Sequence, residues 1–375
     1  MKVLICASPG LGHFLPMVPL AWAARAGGHE ILVVATGPAL EAACGAGLNA
    51  VDAAQDRDIA HIFRTYMAGI AQNPPADPLT STIDLFAQIS DAMTEGTLDA
   101  ARTWQPDVIV SSPLQGAGPL AAALHDVPVV HHGLGWGFSA ADVRRLQEGM
   151  RDAYDRHAAP AATPPEAVVD LCPPSMRAAD ALPGHLVRYV PYGGGGMLPD
   201  WLIELPKRPR VCLTLGSVLP RVSGIQGMRS SLEAVADLPV DAVLALGAAV
   251  GRDLGALPAN VTPVGWVPMD ILLPTCAAVV HHGGSGTCFN ALVAGVPQLA
   301  VPHAGDQFVT AAAISSRGVG LVSDPGSGDV AAIRSLLQQL LEGEGPRAAA
   351  ADVRAEIAAM PPPVDAVGWL TALAS

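Results

Sequence analysis

The chain has 375 residues, half of them apolar and 15% charged, with a formal net charge of −13 at pH 7. That length predicts two domains, and the apolar content excludes a disordered chain. The acidic balance excludes nucleic-acid binding through a broad basic face, and no uninterrupted apolar run approaches the roughly 18 residues that a transmembrane helix needs.

At the N-terminus, "KVLICA" reads as a short buried strand. No basic stretch precedes it, so a first strand is expected and not a signal peptide. "ASPGLGHFLP" follows at 7–16. It begins like the Gly-x-Gly of a dinucleotide-binding turn, but the third glycine would fall on Leu15, and His13 stands where a phosphate would approach. Gly10 and Gly12 are expected to make the turn. "FLPMVPLAWAARAGG" predicts a helix with proline in its first turn and Gly27-Gly28 at its end. "EILVVAT", "DVIVSS" and "VPVVHH" are further strands, the last two flanking the helix-like "GPLAAALHD". Strands alternating with helices predict a parallel α/β domain. Between 53 and 104 the pattern weakens around the break Asn73-Pro74-Pro75. A pocket-shaping insertion and a solvent-covering loop are both open there. Asp56-Arg57-Asp58 lacks the preceding apolar strand of a metal-binding D-x-D and reads as a solvated loop.

"RYVPYGGGGMLPDWLIELPKRPR" at 188–210 is dense in glycine and proline and is the clearest linker. "VCLTLGS" then echoes the opening strand, and "DAVLALG", "VTPVG", "AAVVHH", "PQLAVP" and "GVGLV" continue a second set of strands. The tail "PPPVDAVGWLTALAS" reads as an amphipathic helix entered through prolines. These signals predict a domain over 1–190, a linker over 191–209, a second domain over 210–358, and a terminal helix over 359–375 that packs back on the first domain. The six cysteines are scattered, form no C-x-x-C pair and sit largely in apolar runs, which fits a reducing cytoplasm. Neither H-E-x-x-H nor a clustered Cys/His set appears, so no metal is expected.

The strongest local signal is "VVHHGGSGTCFNALVAGVPQLAVP" at 279–302: strand, glycine loop, helix, strand. Gly283, Gly284 and Gly286 let backbone approach an anion. A helix starting near Thr287 offers unpaired amides and the positive end of its dipole to a phosphate. The Thr287 hydroxyl adds a donor. His281 or His282 can hydrogen-bond an oxygen and, if protonated, stabilise its charge.

"HHGGSGT…AGVPQLAVPHAGDQ", with "SPGLGHFLPMVPLAWAARAGGHEI" and "VGWVP", resembles the GT-B glycosyltransferases that decorate microbial natural products, the vancomycin-type, macrolide and enediyne enzymes among them. "RYVPYGGGGML" looks particularly like the calicheamicin enzymes. The resemblance implies an α/β GT-B fold, two Rossmann-like domains facing across a cleft, with a nucleotide-sugar donor on the C-terminal domain and an apolar aglycone on the N-terminal one. It implies that His281 and the loop Gly283, Gly284, Ser285, Gly286 and Thr287 hold the pyrophosphate, with His282 beside them. Trp266 and Val267 would lie by the base, Gly216 and Ser217 near the phosphates, and Asp306 and Gln307 by the sugar. Asp306 is also expected to cap the helix "QFVTAAAISS".

Transfer to a hydroxyl needs a base, and an imidazole with an ordinary pKa of about 6.5 suits neutral pH. The expected base is His13, as the matching histidine is in the family. Many relatives carry an acid after "PDVIV" to orient it. Here the aligned stretch is Ser111-Ser112-Pro113-Leu114, leaving Ser112, another residue or the acceptor to do so. The expected reaction is an inverting transfer of a deoxysugar from a TDP-sugar, the co-substrate, with no metal or other cofactor. A nucleotide-sugar epimerase or hydrolase of the same fold and a non-catalytic nucleotide-sugar-binding helper are the alternatives. No basic amphipathic helix offers a membrane anchor, and the sequence is compatible with a homodimer.

Overall fold

The computed structural model describes all residues except 56, 74, 76, 161–166, 205, 217–227, 248–254, 304 and 325–328, and the side chain of 71. The chain forms two compact units, Met1–Val190 with Met360–Ser375, and Pro191–Ala359.

The first unit is built on β1 (Lys2–Cys6), β2 (Glu30–Ala35), β3 (Ala50–Asp52), β4 (Val108–Ser111), β5 (Val129–His132), β6 (Ala167–Asp170) and β7 (His185–Leu186). They pair in parallel in the order β3-β2-β1-β4-β5-β6-β7. Val3, Leu4, Ile5 and Cys6 of β1 are buried on both faces. A strand covered on both faces reads as an unbroken apolar run, which is why "KVLIC" shows no alternation. The second unit carries β8 (Arg210–Thr214), β9 (Asp241–Ala245), β10 (Val261–Val264), β11 (Ala278–His281), β12 (Gln298–Ala300) and β13 (Gly320–Val322), parallel in the order β10-β9-β8-β11-β12-β13. The fold class is thus two parallel-sheet α/β domains.

In each sheet the strand order reverses once, between β1 and β4 and between β8 and β11. Chain leaving the carboxyl ends of strands that flank such a reversal diverges to opposite faces and opens a crevice where ligands bind in this architecture. His13 follows β1 and Ser112 follows β4; Gly216 follows β8 and His282 follows β11. The sheet order alone therefore picks out these four positions.

Several elements differ from the sequence expectation. The helix after β1 begins at Leu11, runs as Leu11–Phe14, tightens to a 3₁₀ turn at Leu15–Met17 around Pro16, and resumes as Val18–Ala26. His13 therefore lies in a first helical turn, not in a loop. The weakly patterned region is three helices, Ile59–Gln72, Pro78–Ala92 and Thr94–Trp104. Asp58 and Asp77 cap the first two through their carboxylates, and Leu85, Ile89 and Met93 complete the core against Leu4, Cys6 and Ile109. The stretch 191–209 holds a short helix, Asp200–Ile203, whose Leu202 is buried with Cys212 and Val279. The terminal helix Pro363–Leu373 lies against helix Val18–Ala26. Trp369 stacks on His185 with ring centroids 4.7 Å apart, and the Arg188 amide donates to Pro361 O at 2.8 Å. Among the described residues no helix is long and apolar enough to cross a membrane.

Candidate active site

In the first unit the His13 amide donates to Gly10 O at 3.0 Å, closing the turn that starts the helix. Its imidazole Nδ1 lies 3.4 Å from Ser112 Oγ, and its ring packs on Phe86 with centroids 4.6 Å apart. Burial pushes the imidazole down to about 4, below its ordinary value of 6.5. His13 is therefore neutral at pH 7, with one nitrogen able to accept a proton. Neither Gly10 nor Gly12 has a positive φ, so neither is demanded by the turn as expected. A Cβ on Gly10 would stand 3.1 Å from His13 Cδ2, a tight contact that the imidazole would have to give way to by a few tenths of an ångström, whereas at Gly12 it would meet nothing within 4 Å. Asp107 is occupied elsewhere, accepting from the Lys2 amide at 2.6 Å.

In the second unit the two adjacent histidines have opposite settings. A strand alternates its side chains between faces, and His281, the last residue of β11, is fully buried. Its Nδ1 accepts from the Gly283 amide at 3.1 Å, so Nε2–H donates to Gln298 Oε1 at 3.0 Å. With both nitrogens engaged, His281 holds the shape of the loop and has no donor for a phosphate, which corrects the role expected of it. The His282 ring is clasped between two glycines. A Cβ would lie 2.7 Å from its Cε1 if placed on Gly216, and 2.5 Å from its Nε2 if placed on Gly284. Burial, with His281 and His303 nearby, lowers it to about 3 against the opposing Thr214 backbone. It is neutral and not the cation considered from sequence, and its Nδ1 is buried without a hydrogen-bond partner among the described residues.

Gly283 sits at φ +90, and a Cβ there would be 2.9 Å from Gln307 O. That close approach is open to glycine alone. Gly284, extended, leads into helix Ser285–Ala294, whose first turn receives no capping side chain. The amides of Ser285, Gly286 and Thr287 are thus left for an anion. Asp306 occupies the N-cap position of helix Gln307–Arg317 but makes no side-chain cap bond. Its carboxylate instead hydrogen-bonds Ser285, so the capping expected of Asp306 is replaced by a link to the glycine loop. Gln307 Oε1 accepts from the His303 amide at 2.8 Å, closing the turn between them. Trp266 is half-exposed and pinned by donation from its indole Nε1–H to Gly193 O at 2.6 Å. Val267, its neighbour, turns inward to an apolar cluster with Leu272 and Val279. Ser217 lies outside the described residues, as does Asp56; Asp58 of the same motif accepts from the His61 amide at 2.8 Å as a helix cap. Among the described residues no group of three or more His, Cys, Asp or Glu side chains is placed to hold a metal.

Sequence reasoning did not single out Gln298, Ser285 as the partner of Asp306, or Phe86. Phe86 lies in the weakly patterned region, and Gln298 stands inside "PQLAVP", where a buried glutamine in an apolar strand was the available signal.

Comparison with known proteins covers nearly the whole chain. The family models for the N-terminal and C-terminal domains of erythromycin biosynthesis protein CIII-like proteins match residues 22–216 and 229–373. The elloramycin glycosyltransferase ElmGT of Streptomyces olivaceus is 38% identical, covering 99% of this chain and 97% of that protein. The crystal structure of the glycosyltransferase SnogD from Streptomyces nogalater superposes with a TM-score of 0.83 at 36% identity, covering 100% of this chain and 99% of the other. The spinosyn rhamnosyltransferase SpnG complexed with thymidine diphosphate gives 0.85 at 33% identity, covering 99% and 100%.

Proposed function

The chain belongs to the EryCIII-like family of natural-product glycosyltransferases, and on that premise we propose that it transfers a deoxysugar from a TDP-sugar to an aglycone hydroxyl, with inversion and with His13 as general base. The observation that carries this reading is the neutral imidazole of His13 at the strand-order reversal, held by Ser112 on one nitrogen.

The reading assigns each group one task. With Nδ1–H donating to Ser112 Oγ, Nε2 of His13 is the nitrogen that takes the acceptor proton. The freed oxygen attacks the anomeric carbon, and the bond from that carbon to the diphosphate breaks. The departing charge is met by the uncapped amides of Ser285, Gly286 and Thr287, preorganised donors that need no rearrangement as charge develops. Trp266 offers its half-exposed face to the base of the nucleotide, with Val267 contributing backbone, and Gly216 lies by the phosphates. Asp306 and Gln307 meet sugar hydroxyls, Asp306 from its tie to the phosphate loop. Phe86 and Phe138, packed with Leu114 and Leu146, supply apolar walls for an aglycone. Helix dipole and N–H donors suffice for the leaving group, so no metal is invoked.

The test is His13→Ala, with TDP binding followed by calorimetry and transfer followed from a TDP-sugar to a panel of polyketide aglycones. TDP affinity is expected within about twofold of wild type and transfer reduced by 10²–10⁴-fold or more. Wild-type turnover in the variant removes His13 from the mechanism. Donor consumption without any aglycone replaces the transferase reading with that of a hydrolase or epimerase.

A further inference from the structure

We propose that His131 is a specificity-determining residue of the acceptor site, reading one hydroxyl or ketone oxygen of the aglycone remote from the hydroxyl that reacts. The inference rests on the transferase reading above and names a group that the reading does not use.

His131 lies on β5, opposite Ser111 of β4 and Val168 of β6. It is only 5% exposed, and its Nδ1 has no hydrogen-bond partner. A buried polar atom left unmatched is uncommon, and each instance asks for a cause. The ring forms part of the wall of a cavity of about 20 Å³, with Pro113, Trp136, Phe138, Val143, Asp170 and Leu182. A space a little larger than one water probe holds a single oxygen and not a ring system. The other ionisable wall group has a charge partner: Asp170 Oδ1 accepts from the Cys172 amide at 2.9 Å, and Oδ2, which makes no hydrogen bond among the described residues, lies 3.0 Å from Arg177 Nε. His131 is the uncharged polar group of the wall that can meet a ligand oxygen.

The cavity wall shares neighbours with His13. Pro113 follows Ser112, the contact of His13, and Phe138 belongs both to the cavity wall and to the cluster that Phe86 joins. An apolar acceptor lying along Phe86 and Phe138 with its reacting hydroxyl at His13 would bring a more distant oxygen to the cavity. Burial holds His131 down at about 4, so the ring is neutral and carries one N–H. A hydroxyl matches Nδ1 in either tautomer; a ketone matches it as Nδ1–H. An acceptor without that oxygen leaves the nitrogen unmatched, the condition under which polar sites discriminate well.

The experiment uses the full chain and a probe panel of hydroxyanthraquinones and hydroxylated macrolactones, each paired with an analogue lacking one oxygen away from the hydroxyl that accepts sugar. Affinity is measured by calorimetry for wild type, His131→Phe and His131→Asn, with TDP titrated in parallel. Wild type is expected to prefer at least one oxygenated member by roughly 10- to 100-fold. That preference should shrink to about twofold in His131→Phe and recover in part in His131→Asn, which keeps an amide. TDP affinity should stay unchanged in both. A preference that survives in both variants, or no preference anywhere in wild type, overturns the proposal. Should the variants fail to fold, ¹⁵N-histidine NMR of wild type decides: the oxygenated probe must shift the His131 Nδ1 resonance and its analogue must not, and equal shifts overturn it. If TDP binds but no panel member does, the acceptor reading itself falls, a result distinct from selectivity that ignores residue 131.

Discussion

His13 meets a hydroxyl, that of Ser112 at 3.4 Å, where a carboxylate would hold a developing imidazolium more firmly. Burial leaves its pKa at about 4, and a base works only in its neutral form. The acid limb of kcat/KM for the free enzyme should therefore lie well below 6. Ser112→Asp places a negative charge beside the ring, favours its protonated form and raises its pKa. The acid limb should move toward neutral pH by roughly 1–2 units, with activity at pH 8 retained. A pH profile of the variant that superposes on wild type would show that the side chain at 112 does not act on the imidazole. The paired histidines show why residue roles were only partly legible. "HH" names two identical side chains, and only their contacts tell them apart, His281 with Gln298 and the Gly283 amide, His282 with Gly216 and Gly284.

At the scale of elements, the glycine loop works by clearance. His282 fits because Gly284 has no side chain, and a Cβ there would intrude to 2.5 Å of Nε2. Gly284→Ala must displace the ring or the helix start, and TDP affinity should fall roughly tenfold or more, the loss of one or two charge-assisted bonds. Gly12→Ala, whose Cβ meets nothing within 4 Å, should leave TDP affinity and Tm near wild type. Calorimetry and thermal melts check both. The central strands were readable because burial on both faces writes them as apolar runs, and the glycine loop because few residue types permit its geometry. β3 (Ala50–Asp52) was not, being short, with Val51 among the exposed apolar residues. The helices from Ile59 to Trp104 were hidden because their partners are distant in sequence: Ile62 and Phe63 pack with Val34 and Ile109, a contact no local period records.

Across the whole molecule, burial of neutral imidazoles ties stability to pH. His131, His132 and His281 are each pushed from 6.5 to about 4. Between those values the unfolded chain binds more protons than the folded one, so stability is complete above about 6.5 and is lost as pH falls toward 4. At pH 5 each buried ring costs on the order of 1–2 kcal/mol, and three together are a large share of the roughly 5–15 kcal/mol that holds a domain. Tm should drop steeply between about pH 7 and 5; a flat profile would mean that these rings are already protonated or become hydrated on acidification. The return of Met360–Ser375 to the first unit has a bearing on biosynthesis. Translation must pass residue 370 before the earlier-made half can bury Leu370 and stack His185 on Trp369, so the segment Pro191–Ala359 is already made while the one before it still waits for its closing piece. A stop codon just before Met360 would spare the second unit and strike the first, the one that bears His13.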